Sequence, residues 1–305
     1  MLAPKLKKSL PAKIRNEARP GKLSSKAPSS SAATRQSATT QVVRIRPRLN
    51  SYTDLDSVAR EEPLEIRIRG RSVAVTMRTP GHDGELAAGF LLSEGLIGKR
   101  GDLIEISPCK TAEVPENVLN VFLAPGVEVD FGRLTRHVFA SSSCGLCGKA
   151  SIDEVHQHFP PIVSKAKVAP KILVTLPGRM QSAQRTFART GGLHAAAVFD
   201  LQGKLLVLRE DIGRHNAVDK VLGWGFLQDR MPLDGHILLV SGRASFEIVQ
   251  KALAARIPII AAVSAPSSLA VEFARENGQT LIGFLRGKTM NVYAGAAVAL
   301  GDALL

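Results

Sequence analysis

The chain has 305 residues, 45% hydrophobic and 22% charged, enough for one large globular domain or two modest ones. No apolar run approaches the roughly 20 residues that span a bilayer, which argues against membrane insertion. The net charge of +13 is concentrated at one end: residues 1–40 carry nine Lys and Arg against one Glu, leaving 31 basic and 26 acidic residues elsewhere. The remainder is only mildly basic, which suits an anionic small molecule as well as a polynucleotide. Aromatic residues make up 5%, with one Trp and two Tyr, too few for a platform on which single-stranded nucleic acid stacks. No nucleic-acid partner is expected.

In chain order, residues 1–40 form a basic tail rich in Lys, Ser, Ala and Pro, unable to bury enough apolar surface to offset its ordering entropy. No apolar stretch follows its basic start, so a secretory signal is not expected, although a transit peptide would share its basic, Ser-rich make-up. Residues 41–135 read as a β-rich subdomain with one helix. Alternation over Gln41–Arg48 predicts a half-buried strand, and 65–77 predicts a hairpin turning at Gly70–Arg71. After Pro80–Gly81, Asp83 can cap a helix with Leu86, Ala87, Phe90 and Leu91 on one face. Strands are expected at Leu103–Ser107 and Asn117–Leu123.

Residues 136–170 have loop composition around Ser141–Gly148 and a short helix from Ala150 to His158. From 171 onward a helix at Arg179–Ala188 precedes a hairpin (Ala195–Leu201, Lys204–Arg209) and a helix from His215 to Trp224. Strands at His236–Ser241, Ile259–Ser264 and Leu281–Leu285 then alternate with helices at Ser245–Arg256 and Ser268–Glu276. That alternation predicts an α/β domain with parallel strands. The segments leaving these strands are rich in Gly and Ser and include Arg214, Arg243, Arg286 and Lys288. At a shared carboxyl edge they would offer a phosphate or nucleotide site, although none is a Walker loop or a G-x-G-x-x-G. For any single loop, Ser245 and Ser268 serve equally as ordinary helix caps.

Three cysteines do not make a disulfide framework, and this usage fits a reducing cytoplasm. Cys109, after Ser107–Pro108, reads as a packing residue. Cys144 and Cys147 form a C-x-x-C open to three readings. Zinc would need two more ligands, and His156 and His158 stand too close together for the usual spacing. A disulfide oxidoreductase would place the motif early in a small βαβ domain. A sulfur carrier needs an accessible thiolate, which Lys149, Arg136 and a following helix would favour. His194 serves equally as a ligand contact or a satisfied core histidine. Its surroundings faintly resemble the zinc deaminases, but Ala196 stands where their Glu belongs, so deamination has no proton shuttle.

Several long segments together resemble one family. They are 61–64 through 76–83, Gly89–Gly95, Ser142–Gly148, Thr190–Ala195, Arg209–Lys220 and Ser241–Arg243. In this order they are similar to the formate dehydrogenase accessory sulfurtransferases, FdhD/NarQ, over about residues 41–300. The resemblance implies a cytidine-deaminase-like α/β scaffold without the zinc site. It also implies a cytoplasmic homodimer that takes sulfur from a cysteine desulfurase as a persulfide. The sulfur passes to the molybdenum cofactor in its bis(molybdopterin guanine dinucleotide) form before insertion into formate dehydrogenase. Cys144 matches the persulfide carrier and Cys147 its partner. Phe284, Leu285, Arg286, Gly287, Lys288 and Thr289 match the cofactor-binding stretch, and Ser241, Gly242, Arg243 and His194 are expected beside it. A different reading is a non-catalytic chaperone that binds the molybdenum cofactor.

Overall fold

Uninterrupted apolar runs such as Ile237–Val240 and Ile259–Ala262 can satisfy both faces only inside a sheet covered on two sides, and that is where they lie. The computed structural model describes residues 35–45, 51–131 and 159–299, all within a compact unit spanning 31–305. The Cys144–Cys147 pair and the helix expected at 150–158 lie outside the described residues.

Three sheets occur among the described residues. The first is a two-stranded antiparallel ribbon of β1 (Ser37–Arg44) and β2 (Tyr52–Ala59). The second has the order β4-β3-β6-β5, built from β3 (Glu62–Ile68), β4 (Arg71–Arg78), β5 (Leu103–Pro108) and β6 (Val118–Leu123). Ile68 pairs with Arg71 across a two-residue turn in which Arg69 and Gly70 both have positive φ, the twist a tight hairpin requires.

The third sheet has the order β12-β11-β10-β9-β7-β8. Its strands are β7 (His194–Asp200), β8 (Leu205–Asp211), β9 (His236–Val240), β10 (Ile259–Ala262), β11 (Thr280–Arg286) and β12 (Thr289–Ala294). The central β9, β10 and β11 are parallel, as the alternation with helices predicts. The sheet as a whole is mixed, because β7 is antiparallel to both of its neighbours and β12 returns antiparallel to β11. β8 therefore runs in the same direction as β9, β10 and β11. The carboxyl ends of all four, and the amino end of β7, share one edge.

Side chains alternate across this sheet. Ala196, Val198, Leu238, Val240, Ile260 and Leu281 face helices α5 (Arg214–Leu227), α6 (Phe246–Ala254) and α7 (Ser268–Glu276). Phe199, Ile237, Leu239, Ile259, Ile282 and Leu285 face α2 (Pro170–Leu173) and α3 (Leu176–Ala183) on the other side. A short α4 (Phe187–Thr190) leads into β7. α1 (Asp83–Ser93) lies between the four-stranded sheet and α5, so one continuous core runs from Leu64 and Ile66 through Leu86 and Leu91 to Val218 and Val240.

α1 and α5 touch backbone to backbone. A Cβ on Gly89 would stand 1.8 Å from the Asp219 carbonyl oxygen, and one on Gly223 would stand 1.8 Å from that of Glu85. Beside this crossing the Lys251 ammonium donates to both Asp219 oxygens (2.8 and 2.9 Å) and to Ser93 Oγ (2.8 Å), pinning α6 to the same point.

Two local expectations give way to tertiary demands. Asp83 does not cap α1; His82 holds that position with φ 60°, and the Asp83 carboxylate accepts two bonds from the fully buried Arg78 guanidinium (3.1 and 3.2 Å). β1 ends at Arg44 and is largely exposed, not half-buried: Val43, Ile45 and Leu55 are 63%, 75% and 66% exposed, because β2 is its only strand partner among the described residues.

Candidate functional site

At the shared edge the strand exits are fastened to one another. Ser241 N donates to Ala195 O and Ser241 Oγ accepts from Ala195 N, both at 2.9 Å, tying the exit of β9 to the entrance of β7. The His194 imidazole packs on Gly242, where an added Cβ would sit 3.5 Å from Nδ1. Ala244 then bridges the next loop, donating to Ala265 O (3.2 Å) and accepting from Ser267 N (3.1 Å). Ser267, not Ser268, caps α7, accepting from Ala270 N at 3.2 Å. Ser245 occupies the capping position of α6 without a side-chain capping bond.

Phe284 N donates to Ser264 O (3.0 Å), linking the loop after β10 to β11. Here β11 is irregular: Phe284 has φ 51°, and an added Cβ on Gly283 would lie 2.7 Å from Pro266 Cδ and 2.9 Å from the Tyr293 ring. The Arg286 guanidinium lies 5.4 Å from the Phe284 ring centroid. Arg286, Gly287, Lys288 and Thr289 are exposed at the turn into β12, and Arg243 is exposed after β9. Leu285 is wholly buried in the core on the α2–α3 side, so only its backbone can meet a ligand.

The structure thus brings His194 against Ser241–Gly242 and joins 243–245, 264–267 and 284 into adjacent loops. Where Cys144 and Cys147 stand relative to this edge lies outside the described residues.

Beneath the edge is a polar knot that sequence reasoning missed. Lys220 and Asp211 have fully buried side chains, 2.6 Å apart. Lys220 also donates to Thr79 O (2.8 Å), while Asp211 accepts from the backbone of Thr79 (3.1 Å) and Gly213 (2.8 Å) and from Asn216 Nδ2 (3.1 Å). These bonds satisfy both charges and fix the 76–83 and 209–220 segments against each other. Arg209 clasps Glu85 nearby (2.5 and 2.7 Å), and His82 Nδ1 stands 3.5 Å from the same carboxylate. Segments some 130 residues apart carry no local signal of such a contact.

A second missed group is His215 with Glu247. His215 Nε2 lies 2.7 Å from Glu247 Oε2 and 3.3 Å from Ser245 Oγ, at the first turns of α5 and α6. Glu247 Oε1 is buried and has no hydrogen-bond partner among the described residues. Burial works to raise the Glu247 carboxyl, but the bond and charge of His215, with Lys251 and Arg214, outweigh it and hold it below the usual carboxylate range. Burial, together with the charges of Arg214 and His215, holds His194 below the ordinary histidine range, so its ring is neutral near pH 7. Burial and Arg209 do the same for His82. Among the described residues no cluster of three or more His, Cys, Asp or Glu could hold a metal ion.

These features define a mixed α/β protein with a polar edge at its strand ends, rich in exposed cations and backbone donors. The chain belongs to the FdhD/NarQ family, whose model matches residues 59–299. It is 55% identical over 250 residues to the sulfur carrier protein FdhD of Mycobacterium bovis, covering 79% of this chain and 91% of that protein. It is 53% identical over 267 residues to the sulfur carrier protein FdhD of Streptomyces coelicolor, covering 84% and 93%. Its fold is similar to a crystal structure titled as "a putative formate dehydrogenase accessory protein" from Desulfotalea psychrophila (TM-score 0.70, 26% identity, covering 85% of this chain and 98% of that one).

Proposed function

We propose that this protein is a sulfur carrier for the maturation of formate dehydrogenase. It accepts sulfur from a cysteine desulfurase as a persulfide on Cys144, with Cys147 assisting acceptance or release. The recipient is the molybdenum cofactor in its bis(molybdopterin guanine dinucleotide) form, bound as substrate at the strand-end edge. In this reading Arg243, Arg286 and Lys288 hold the phosphates, the backbone of Gly242 and Phe284–Thr289 frames them, and His194 contributes a neutral ring beside Gly242. The proposal includes a cytidine-deaminase-like scaffold, a cytoplasmic location and a homodimer.

The observation that carries it is the gathering of three strand-exit loops on one cationic edge, in a chain whose relatives are named sulfur carriers. Backbone donors at helix starts and exposed guanidinium groups suit a ligand with several phosphates. The test is mass spectrometry of the intact chain after incubation with a cysteine desulfurase and cysteine. A gain of one sulfur atom that disappears in Cys144→Ala is expected. No gain, with guanine-nucleotide binding intact, would replace sulfur transfer with the chaperone reading.

A further inference from the structure

A two-stranded ribbon is marginal in water unless a further strand or a helix covers it. β1 and β2 pair along their whole length, from Ser37↔Ala59 to Arg44↔Tyr52, and no other strand joins them among the described residues. The two faces of the ribbon differ. Gln41, Val43, Thr53 and Leu55 share one face, on which no residue of either strand is charged. On the other face Asp54 and Asp56 hold the Arg44 guanidinium (2.8 and 3.6 Å).

The two edges differ more. Arg60 N donates to Gln36 O at 2.9 Å, which makes Gln36 and Arg60 a hydrogen-bonded pair. Such pairs recur at every second position of an antiparallel ladder, so Ala38, Thr40, Val42 and Arg44 turn their backbone groups toward β2. Thr39, Gln41 and Val43 turn theirs outward. The outward amides of β2 include Leu55 and Ser57, and each is taken by the carboxylate one residue before it. Leu55 N donates to Asp54 Oδ1 (2.8 Å) and Ser57 N to Asp56 Oδ1 (2.9 Å). β2 is thus an edge closed by its own side chains and guarded by two negative charges. β1 has neither device. Its outward amides at 39, 41 and 43 make no hydrogen bond among the described residues, and 37–43 contain no charge and no proline.

We propose that the open edge of β1 is the contact between two copies of this chain, Ser37–Val43 pairing antiparallel with the same stretch of a second protomer about a two-fold axis at Thr40. This rests on the homodimer included in the proposed function and names its interface. With the axis there, position 37 of one copy faces 43 of the other and 39 faces 41, so every outward amide of β1 finds a carbonyl. The axis stands normal to the sheet and keeps the two uncharged faces on the same side. Val43 and Leu55 of both copies then lie on one face of a four-stranded sheet, the cover that a lone ribbon lacks. The two Arg44 side chains fall at opposite ends of the seam, each with its own aspartates. The pairing is self-complementary and closes, whereas β1 set against any other edge of a second copy would leave an open β1 to propagate. Seven residues at about 3.4 Å, in a sheet about 10 Å thick, bury roughly 240 Å² per copy. That is well under the roughly 800 Å² of a standard interface, so backbone bonds carry a reversible dimer with a Kd of about 10–100 μM.

Sedimentation equilibrium of the full chain under a thiol reductant, over roughly 1–300 μM, tests this. The wild-type chain should pass from monomer to dimer within that range. Gln41→Pro removes an outward amide from the middle of the seam while sparing the β1–β2 bonds, and should weaken dimerisation at least about tenfold. Thr53→Pro makes the same change on the outward side of β2 and should leave the dimer as it was. Hydrogen exchange of the unaltered chain reads the seam without any variant: amides at 39, 41 and 43 should gain protection as concentration rises, and that of Thr53 should not. A wild-type chain that stays monomeric throughout overturns the interface and the homodimer together. A dimer that gives residues 39–43 no added protection overturns the interface alone and places the homodimer contact elsewhere, as does a dimer that a folded Gln41→Pro chain forms undiminished.

Discussion

Gly89→Ala should be among the most damaging single-methyl changes in this protein. The new Cβ would lie 1.8 Å from the Asp219 carbonyl oxygen and 2.6 Å from its carbon. Ordinary carbon–oxygen contact is near 3.4 Å, so α1 and α5 would have to part by about 1.5 Å. The obstructing atoms are backbone, which cannot turn aside as a side-chain end would. Separation would also pull on Asp219, whose carboxylate anchors Lys251, and on the reciprocal contact of Gly223 with Glu85. Overpacking in a rigid interior costs about 1–3 kcal/mol, and a backbone clash belongs at the upper end. At roughly 2–4 °C per kcal/mol, a loss of about 3 kcal/mol lowers the melting temperature by roughly 6–12 °C. Gly84→Ala supplies the control within the same helix, since no described residue lies within 4 Å of its Cβ position. It should gain about 0.5–1 kcal/mol from helix propensity alone. Thermal melts of both variants by circular dichroism settle the matter: a Gly89→Ala chain within about 1 kcal/mol of wild type would refute the close-crossing argument.

Lys220→Met should destabilise the chain by about 3–5 kcal/mol, because it strands the Asp211 carboxylate in a site with no exposure; chemical denaturation measures it, and a loss under 1 kcal/mol would contradict the knot described above. His194 and His82 both sit below the ordinary value of 6.5, so the folded form favours their neutral rings. Their contribution to stability is complete above about pH 6.5 and is lost as the pH falls through that value toward their folded values. Melting temperature should therefore drop between pH 7 and 5.5, and the double variant His82→Asn/His194→Asn should flatten that slope; an equally steep slope in the variant would refute it. Arg286→Ala should weaken guanine-nucleotide binding by about 1.5–3 kcal/mol without lowering the melting temperature, whereas Cys144→Ala should leave that affinity unchanged and abolish formate dehydrogenase maturation.

The sequence was most legible where burial imposes a period. The apolar runs 237–240, 259–262 and 281–282, each separated by an amphipathic helix, announced parallel strands and the edge at which they end. β2 went unseen because Tyr52–Ala59 is an exposed strand, and without burial there is no alternation to read. β12 was hidden behind Gly287–Lys288, which read as a loop and proved to be a hairpin turn. The cap of α1 was misplaced because Arg78 claims the Asp83 carboxylate, a contact between a strand and a helix that propensity does not contain. The loops of the candidate site could be read one at a time, since each follows its strand directly. Asp211 with Lys220 and Thr79, and His215 with Glu247, could not: nothing in the spacing of 79, 211, 215, 220 and 247 reveals a contact until the layers are stacked.

The ribbon of β1 and β2 also bears on where the working protein can be cut. The family match begins at residue 59, yet Gln36, at the foot of the ribbon, accepts the Thr186 hydroxyl at 2.7 Å, takes the Arg60 amide on its carbonyl and stands 3.5 Å from where Gly81 would carry a Cβ. Ala59, closing the opposite strand, abuts Gly192. Shortening the polypeptide to the shared segment would therefore remove Gln36 and unroof Gly81 and Thr186, while Ala59 would stay against Gly192. Gln36, although it precedes the family match, acts as a buttress for that corner.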